Sequence, residues 1–380
     1  MKVLHIGFQD HGGGAAESMM RIHNGLLKLN VNSNVLVLRK KTNGTKIFGY
    51  TDRLDHYFAA LRREILRKPM QLVFKELRES YFSLNILPSF LTNVIKSYKP
   101  DILNIHWINS ETLPIYSIKV LAQNVVWTLH DLWPIQGIYH LDKEKINNKI
   151  LIQIDRYFYK KKIEIIKDHY FITPSSFVEN KVMKNCNINK KNIFRISNSV
   201  DKNIFKPQIQ YKLKQNKILF IGNSIINDFN KGFDLLKNSC ELLQKKGIEF
   251  ELIIAGDNQT APKTNFKLTQ IGHTMDKNIL AKLYSESKVT VIPSRFENFP
   301  LVVLESLSSG TPVTCFDVGG LSEIISHKNN GWLAKPFDIN SFALGIEYYL
   351  TNKNFNSTVC RESINNYTTL KVANSYKKVY

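Results

Sequence analysis

The chain has 380 residues, of which 43% are hydrophobic and 22% are charged, and its net charge is +20. This length exceeds the ~100–200 residues of a typical domain, so we expect two domains, each with its own core. The positive charge favours anionic partners, such as nucleic acid, anionic lipid or a nucleotide diphosphate. Because the lysines are spread along the chain instead of clustering beside aromatic residues, we expect no nucleic-acid partner.

The sequence contains no segment typical of export or of membrane insertion. Its first apolar run, residues 3–8, is too short for a signal peptide, and no run reaches the ~18 apolar residues of a spanning helix. We therefore expect a cytoplasmic protein. The cysteines are far apart in the sequence, so we expect reduced packing residues and no metal site. They are Cys186, Cys240, Cys315 and Cys360.

Strand-like and helical segments alternate along the chain, which is typical of parallel sheets covered by helices. In the first half we predict strands at residues 3–8, 34–38, 102–106, 125–130 and 170–174, and helices at residues 15–29, 88–98, 146–167 and 176–185. In the second half we predict strands at residues 218–222, 251–255, 289–293, 312–316 and 331–334, and helices at residues 233–246, 277–287, 300–308 and 339–350.

A polar stretch from Asn198 to Pro207 separates the two halves and indicates a linker, with the boundary near residues 199–214. We predict an N-terminal domain at residues 1–200 and a C-terminal domain at residues 201–380. Whether the last helix packs back on the first domain is left open. The predicted fold class is α/β, with two Rossmann-like doubly wound domains facing a central cleft. Ligands of such domains bind at the carboxyl ends of the strands, so the loops there decide the function.

The most informative loop follows the strand predicted at residues 289–293. Pro300 suits the start of a helix, so Glu297 lies in the loop and Glu305 lies about one and a half turns into the helix, among apolar neighbours. A buried charge is costly without partners, and both carboxylates can accept hydrogen bonds from the hydroxyls of a sugar or ribose. Backbone groups around the helix start would then face a diphosphate, namely those of Asn298, Phe299, Pro300 and Leu301. The alternative is a capped surface helix with one glutamate paired to a lysine.

This stretch resembles the E-x7-E signature of the retaining GT-B glycosyltransferases of family 4. The resemblance continues in the expected order and spacing over essentially the whole second domain. It includes Ile221-Gly222, Lys231-Gly232, Ala255-Gly256-Asp257, Gly310-Thr311-Pro312-Val313, the segment from Gly319 to Ile325, and Asn330-Gly331.

The resemblance implies that residues 1–200 bind the acceptor and residues 201–380 bind the donor, and it implies roles for individual residues of the donor side. Glu297 would contact hydroxyls of the donor sugar, Glu305 those of the ribose, and Lys231 the diphosphate, a common use of lysine. The alternative for Lys231 is a solvated lysine in a helical first turn. The family usually has an arginine where this chain has Asn223. Phosphate neutralisation would then depend mainly on Lys231, with Arg295 as an alternative.

Two loops of the first half are candidates for the other side of the site. Gly13 and Gly14 follow the first predicted strand and let the backbone approach a phosphate or sugar closely, although a simple tight turn is the alternative. This run is not the G-x-G-x-x-G fingerprint, which argues against an NAD-dependent dehydrogenase. Residues 128–134 resemble the T-x-H-D-x-W-P segment of family 4 enzymes that build bacterial surface polysaccharides. By that resemblance, His130 would reach the donor sugar and Asp131 would shape the acceptor pocket; a packing histidine is the alternative.

The resemblance implies retaining transfer of a hexose from a UDP- or GDP-sugar to a saccharide or lipid-linked acceptor, in O-antigen, capsule or exopolysaccharide synthesis. No D-x-D motif stands at a strand end, so we expect neither a metal nor another cofactor. A non-hydrolysing sugar-nucleotide epimerase and a catalytically decayed nucleotide-sugar-binding protein stay open as alternatives.

Residues 53–80 are predicted to form a helical element that faces an anionic membrane. Leu54, Phe58, Leu61 and Ile65 recur at helical spacing. A basic face accompanies them, formed by Arg62, Arg63, Arg67 and Lys68. This pattern predicts peripheral association with the inner face of the cell membrane. The alternative is an amphipathic helix docked on its own domain.

Overall fold

The computed structural model describes residues 1–50, 53–78, 80–141, 147–256, 260, 263–274 and 276–380. Asp257, which belongs to the sequence resemblance, and Ile146, the predicted start of a helix, lie outside the described residues. The chain divides into two compact units. The first contains Met1–Ser197 with Leu370–Tyr380, and the second contains Asn198–Thr369.

The described residues of the first unit build a seven-stranded parallel sheet. Its strands are β1 (Lys2–Gln9), β2 (Asn32–Arg39), β3 (Ile47–Tyr50), β4 (Ile102–Ile105), β5 (Asn124–Thr128), β6 (Tyr170–Thr173) and β7 (Ile193–Arg195). The helices are α1 (Gly14–Lys28), α2 (Arg53–Val73), α3 (Leu91–Tyr98), α4 (Lys149–Ile166) and α5 (Ser176–Cys186). The strand order β3-β2-β1-β4-β5-β6-β7 reverses between β1 and β4.

The described residues of the second unit build a six-stranded parallel sheet. Its strands are β8 (Gln215–Ile221), β9 (Glu251–Ala255), β10 (Lys267–Ile271), β11 (Ser287–Ile292), β12 (Val313–Phe316) and β13 (Gly331–Ala334). Its helices are α6 (Phe233–Lys245), α7 (Lys277–Glu286), α8 (Leu301–Ser308), α9 (Ile339–Thr351) and α10 (Thr358–Ser363). The order β10-β9-β8-β11-β12-β13 reverses between β8 and β11.

The predicted α/β class with two parallel-sheet units is confirmed. Every predicted strand is present, because strands buried on both faces read as continuous apolar runs. The strands that the sequence did not indicate are short or half-exposed, namely β3, β7 and β10. In each sheet, the point where the strand order reverses opens a crevice at the carboxyl ends of the strands. That is where the candidate residues are expected to meet.

The final helix, α11 (Thr369–Val379), returns the chain to the first unit. Its residues Val372, Ala373 and Tyr376 are buried in a core cluster with Val3 and Ile22. The first sheet is thus covered partly by the last residues of the chain.

The four cysteines are buried and unpaired. Burial raises the pKa of the Cys186 and Cys360 thiols to about 12, which keeps them protonated and unreactive. None of the helices that the structure describes is both long enough and apolar enough to cross a membrane.

Tyr376→Ala is expected to destabilise the first unit by about 3–5 kcal/mol, because it removes a large aromatic side chain from that core cluster. Chemical denaturation followed by fluorescence measures the free energy of unfolding. Leu370→Ala, an exposed position on the same helix, serves as the matched control and should change stability by less than about 0.5 kcal/mol. Equal effects of the two substitutions would show that α11 contributes no specific packing.

Candidate active site

An ion pair joins the two donor-side residues that the sequence indicated. The carboxylate oxygen Oε1 of Glu297 accepts a hydrogen bond from Nζ of Lys231 at 2.8 Å and one from Oγ of Ser294 at 2.9 Å. Glu297 lies in the loop after β11, and Lys231 lies in a 3-10 turn between β8 and α6. Strands β8 and β11 are neighbours, and the order of the sheet reverses between them. A cation and a carboxylate therefore meet at the edge where ligands of such sheets bind.

The backbone of the Glu297 loop is held by donors from three other segments. The amide of Asn230 donates to the carbonyl oxygen of Phe296 at 3.1 Å, and the N–H of Gly320 donates to that of Glu297 at 3.1 Å. The amide of Asn198 donates to the carbonyl oxygen of Phe299 at 2.7 Å. The loop is thus fixed before any ligand binds.

Two glycines make this close arrangement possible. Gly232, with a φ of 69°, and Gly319, with a φ of 60°, adopt the left-handed conformation. A Cβ at Gly232 would clash with the carbonyl oxygen of Pro293, and a Cβ at Gly319 would clash with that of Glu297. Only glycine satisfies both the conformation and the space at these positions.

The side chain of Arg295 binds other residues of the second unit. Its guanidinium forms a bidentate pair of hydrogen bonds with the Asp234 carboxylate, at 3.0 and 2.6 Å. It also donates to the carbonyl oxygen of Phe229 at 2.6 Å. It also stacks 3.7 Å from the centre of the Phe229 ring. Hydrogen bonding to Arg295 holds the pKa of the Asp234 carboxyl below its ordinary value. These contacts support a role in positioning the Lys231 turn more than the suggested role as a phosphate ligand.

Glu305 lies on α8 and is only 8% exposed. Its Oε2 accepts a hydrogen bond from the hydroxyl of Tyr284 on α7 at 3.0 Å. The helix begins at Leu301, after Pro300 in an extended conformation. Pro300 has no N–H, so among the predicted backbone groups it cannot donate to a phosphate. Asn298 is half-buried and Phe299 is buried against Tyr367, whereas Asn223 is exposed beyond β8.

In the first unit, the glycine loop follows β1 and opens α1. Gly12 and Gly13 have φ values of 85° and 93°, and Gly13 caps α1 without a side chain. A Cβ at Gly14 would meet no other atom within 4 Å, so the backbone faces open space there. The loop is anchored by the buried carboxylate of Asp10, which accepts from the backbone N–H of Lys41 at 2.7 Å.

His130 follows β5 and is one end of a hydrogen-bonded group of histidines. Its Nε2 lies 2.9 Å from Nδ1 of His106, which follows β4. Burial lowers the pKa of His130 to about 4, although the neighbouring Asp131 acts in the opposite direction. His130 is therefore neutral near pH 7. His106 was not among the residues predicted from the sequence. It shares with His130 the pattern of a polar side chain directly after a buried strand.

The carboxylate of Asp131 binds other residues of the first unit. Its carboxylate accepts from Nε1 of Trp107 at 2.8 Å, from the amide of Asn109 at 3.1 Å and from the backbone N–H of Trp133 at 3.1 Å. Nδ1 of His140 lies 3.1 Å from the same carboxylate. These bonds hold the loop after β5, and contact between Asp131 and an acceptor stays a prediction.

Ser83 extends this network, because its Oγ lies 3.0 Å from Nε2 of His140. The order serine, histidine, aspartate has the spacing of a hydrolase triad. Ser83 is only 8% exposed, however, so its hydroxyl is not accessible for attack on a substrate. The group is a structural network that fixes the loop carrying His130.

No group of three or more His, Cys, Asp or Glu side chains in the described part of the chain is arranged to hold a metal ion. The expected independence from metal and other cofactors stays a prediction.

Gly319→Ala is expected to displace the Glu297 loop, because the added Cβ clashes with the carbonyl oxygen of Glu297. Gly247→Ala is the matched control: Gly247 has a φ of 74°, but a Cβ there meets no atom within 4 Å. Gly247→Ala should lose about 1–2 kcal/mol of stability through backbone strain, and Gly319→Ala should lose more because of the added clash. Only Gly319→Ala should also speed amide hydrogen exchange at Gly320, measured by mass spectrometry. Similar exchange in both variants would contradict the proposed bracing of the loop.

Comparison with known proteins covers both halves of the chain. Residues 12–203 match the profile of Glycosyltransferase Family 4, and residues 201–367 match that of Glycosyl transferases group 1. A 41.2 kDa protein of the cps region of Klebsiella pneumoniae is 25% identical over 325 residues, which is 81% of this chain and 86% of that protein. The O-antigen chain mannosyltransferase RfbU of Salmonella typhimurium is 27% identical over 233 residues, 60% of this chain and 61% of RfbU.

The uncharacterised glycosyltransferase MJ1607 of Methanocaldococcus jannaschii is 32% identical over 160 residues. The match covers 40% of this chain and only 40% of MJ1607. A glycosyltransferase of Haemophilus influenzae is likewise matched over 41% of its length. The chain thus matches less than half the length of these two relatives.

Solved structures share the fold over the full length of the chain. Sucrose-phosphate synthase of Thermosynechococcus elongatus superimposes with a TM-score of 0.70 at 16% identity, covering 100% of this chain and 98% of that one. Anabaena HepE, in complex with UDP and glucose, has a TM-score of 0.69 at 12% identity, covering 100% and 98%. These similarities confirm the predicted GT-B fold. The Family 4 profile alone covers just over half of the residues, and the chain therefore belongs to glycosyltransferase family 4.

Proposed function

We propose that this glycosyltransferase moves a sugar from a nucleoside-diphosphate sugar to a saccharide acceptor, with retention of the anomeric configuration. The observation that carries the proposal is the contact between Lys231 and Glu297 at the edge between β8 and β11, with Glu305 on the following helix. HepE, which has the same fold, binds UDP and glucose.

In the proposed complex, Lys231 binds the diphosphate as a point charge and Glu297 accepts hydrogen bonds from hydroxyls of the donor sugar. The ion pair between them holds both side chains in place before the donor arrives. Glu305 accepts hydrogen bonds from the ribose, and the hydroxyl of Tyr284 orients its carboxylate. Arg295 supports the arrangement indirectly through Asp234 and Phe229.

The proposed chemistry is an exchange at the anomeric carbon. The bond from this carbon to the diphosphate oxygen breaks, and a bond to the acceptor hydroxyl oxygen forms on the same face. The acceptor proton passes to the leaving diphosphate. Lys231 stabilises the negative charge that develops on the diphosphate, which is the task we assign to it in place of a metal. His130, neutral near pH 7, is a hydrogen-bonding partner of the donor sugar.

The acceptor we propose is a lipid-linked saccharide of a bacterial surface polysaccharide. The support comes from relatives, one encoded in a cps region and one an O-antigen chain mannosyltransferase. Thermal denaturation in the presence of UDP-sugars and GDP-sugars identifies the donor, because a donor that binds stabilises the protein against heat.

Glu305→Gln should weaken binding of the nucleoside diphosphate by roughly tenfold to a hundredfold, because it loses a charge-assisted bond worth about 1.5–3 kcal/mol. Lys231→Ala should weaken binding as well and should lower kcat/KM by about a hundredfold or more. Glu297→Gln should keep nucleotide affinity or raise it, since Lys231 loses a competing partner, but should lower turnover of the donor. Isothermal titration calorimetry with UDP and GDP measures the affinities.

Glu241→Gln is the control for this series, because Glu241 is a partly exposed glutamate on α6 whose charged neighbour is Lys237. It should leave binding unchanged. A loss of nucleotide affinity confined to Glu297→Gln would reverse the proposed roles of the two carboxylates.

We also propose that α2 lies on an anionic membrane surface. Exposed apolar side chains recur along one face of this helix, at Tyr57, Phe58, Leu61, Ile65 and Leu72. Lys68 is exposed on the same face, and the net charge of +20 favours anionic lipid. The side chain of Leu54, which was predicted to share this face, lies outside the described residues.

The predicted basic face requires one correction. Arg62 donates to the backbone carbonyl oxygens of Leu87 at 3.1 Å and Glu111 at 2.9 Å, so it faces its own unit and not a membrane. Arg63 and Arg67 both contact Glu64, at 2.8 and 3.3 Å, but keep exposed surface. The orientation of Arg62 could not be read from helical spacing alone, because its partners are distant in the sequence.

Replacing Phe58, Ile65 and Leu72 together by Ser should abolish co-sedimentation with vesicles of anionic phospholipid at low salt. The matched control replaces three exposed apolar residues elsewhere, Ile279, Leu344 and Leu370, and should sediment like the wild type. Added salt should weaken wild-type binding by screening the charges. Unchanged sedimentation of the α2 variant would refute membrane docking by this helix.

A further inference from the structure

Three histidines form a continuous row across neighbouring strands of the first sheet. Nδ1 of His5, on β1, lies 3.0 Å from Nε2 of His106. Nδ1 of His106 in turn lies 2.9 Å from Nε2 of His130. Since β1, β4 and β5 are adjacent in the sheet, the row leads from the interior of the unit to the carboxyl edge.

Each ring of the row is neutral near pH 7. His5 and His106 are buried, and desolvation lowers the pKa of both well below the ordinary value. Desolvation likewise lowers the pKa of His130 to about 4. The row is therefore a chain of neutral imidazoles.

The direction of the two bonds constrains the tautomers. A neutral imidazole has one N–H and one bare nitrogen, and each bond needs one of each. Both bonds connect Nδ1 of one ring to Nε2 of the next. All three rings must therefore be the same tautomer, either all protonated on Nδ1 or all protonated on Nε2.

The inner end of the row is closed. Nε2 of His5 is buried and has no hydrogen-bond partner among the residues that the structure describes. Changing the tautomer of all three rings requires a proton to enter at one end and to leave at the other. Among the described residues no group is placed to exchange that proton at Nε2 of His5, so reversing the row requires this buried end to open.

We propose that His5 and His106 are positioning residues that lock the tautomer of His130. Nδ1 of His130, the nitrogen that the row does not use, then has one permanent polarity, as donor or as acceptor. His130 contributes a fixed hydrogen bond at the site and takes no part in acid–base exchange. This inference rests on the proposed function only in assigning the donor sugar as the partner of His130.

The groups that face the row do not supply a charge at its inner end. The ring of His23 lies 6.2 Å from that of His5, its Nδ1 is bonded to Oγ of Ser33, and burial lowers its pKa to about 4. Tyr380 of the chain terminus lies 6.3 Å from His5, ring to ring, and burial raises its pKa well above the ordinary value. Asp131 adjoins His130 at the outer end.

Nuclear magnetic resonance of the full-length protein labelled with ¹⁵N-histidine tests the lock, because it distinguishes protonated from bare ring nitrogens. Single substitutions assign the signals. His5, His106 and His130 should show one common tautomer and should remain neutral from about pH 8 to about pH 5, where an ordinary histidine titrates. Mixed tautomers, or an imidazolium signal from the row in this range, would overturn the proposal.

His106→Phe tests the consequence for His130. Without its partner, Nε2 of His130 is no longer held in one protonation state, so the same spectra should show His130 as a mixture of both tautomers. His169→Phe is the matched control, because His169 is another histidine with a pKa of about 4, bonded to Trp127 outside the row. It should leave His130 in a single tautomer. A single, unchanged His130 tautomer in His106→Phe would overturn the proposal.

The two kinds of failure can be separated. The tautomers are read without substrate, so a locked row in a protein that transfers no sugar would contradict the proposed function alone. A row with mixed tautomers in an active transferase would contradict the lock alone.

Discussion

The ion pair between Lys231 and Glu297 is the interaction around which the candidate site of the second unit is built. It places a cation and a carboxylate 2.8 Å apart at the point where the order of the second sheet reverses. The Glu297 side chain is only 13% exposed, so its charge needs a partner before a ligand arrives. Lys231 provides that partner.

Rigidity around the pair comes from backbone contacts. Donors from Asn198, Asn230 and Gly320 each take a different carbonyl oxygen of the Glu297 loop. Arg295, in the Glu297 loop, donates to Asp234 of α6 and to the carbonyl oxygen of Phe229 in the Lys231 turn. A preorganised site costs little rearrangement when charge develops in a transition state, which is how electrostatic stabilisation becomes effective. This close packing requires Gly232 and Gly319, because a Cβ at either position would clash with a backbone carbonyl oxygen.

In the first unit, the residues that follow the strands are held by hydrogen bonds to other residues of the same unit. Asp131 accepts three hydrogen bonds from Trp107, Asn109 and Trp133, and the histidine row supports His130 from behind. Burial keeps these histidines uncharged near pH 7. The candidate residues of the second unit thus include a close ion pair, whereas those of the first unit are neutral histidines and the open backbone at Gly14.

The sequence by itself determined the strand and helix pattern, the loops that carry Glu297, Lys231 and His130, and the family. Those features depend on local apolar periodicity and on the rule that polar residues after buried strands meet at one edge. Only the tertiary structure decided which groups pair. Arg295 turned out to bind Asp234, and His5 joined His106, because strands adjacent in a sheet are far apart in the chain. Sheet order and the return of α11 to the first unit are set by the packing of distant segments, which no local pattern encodes.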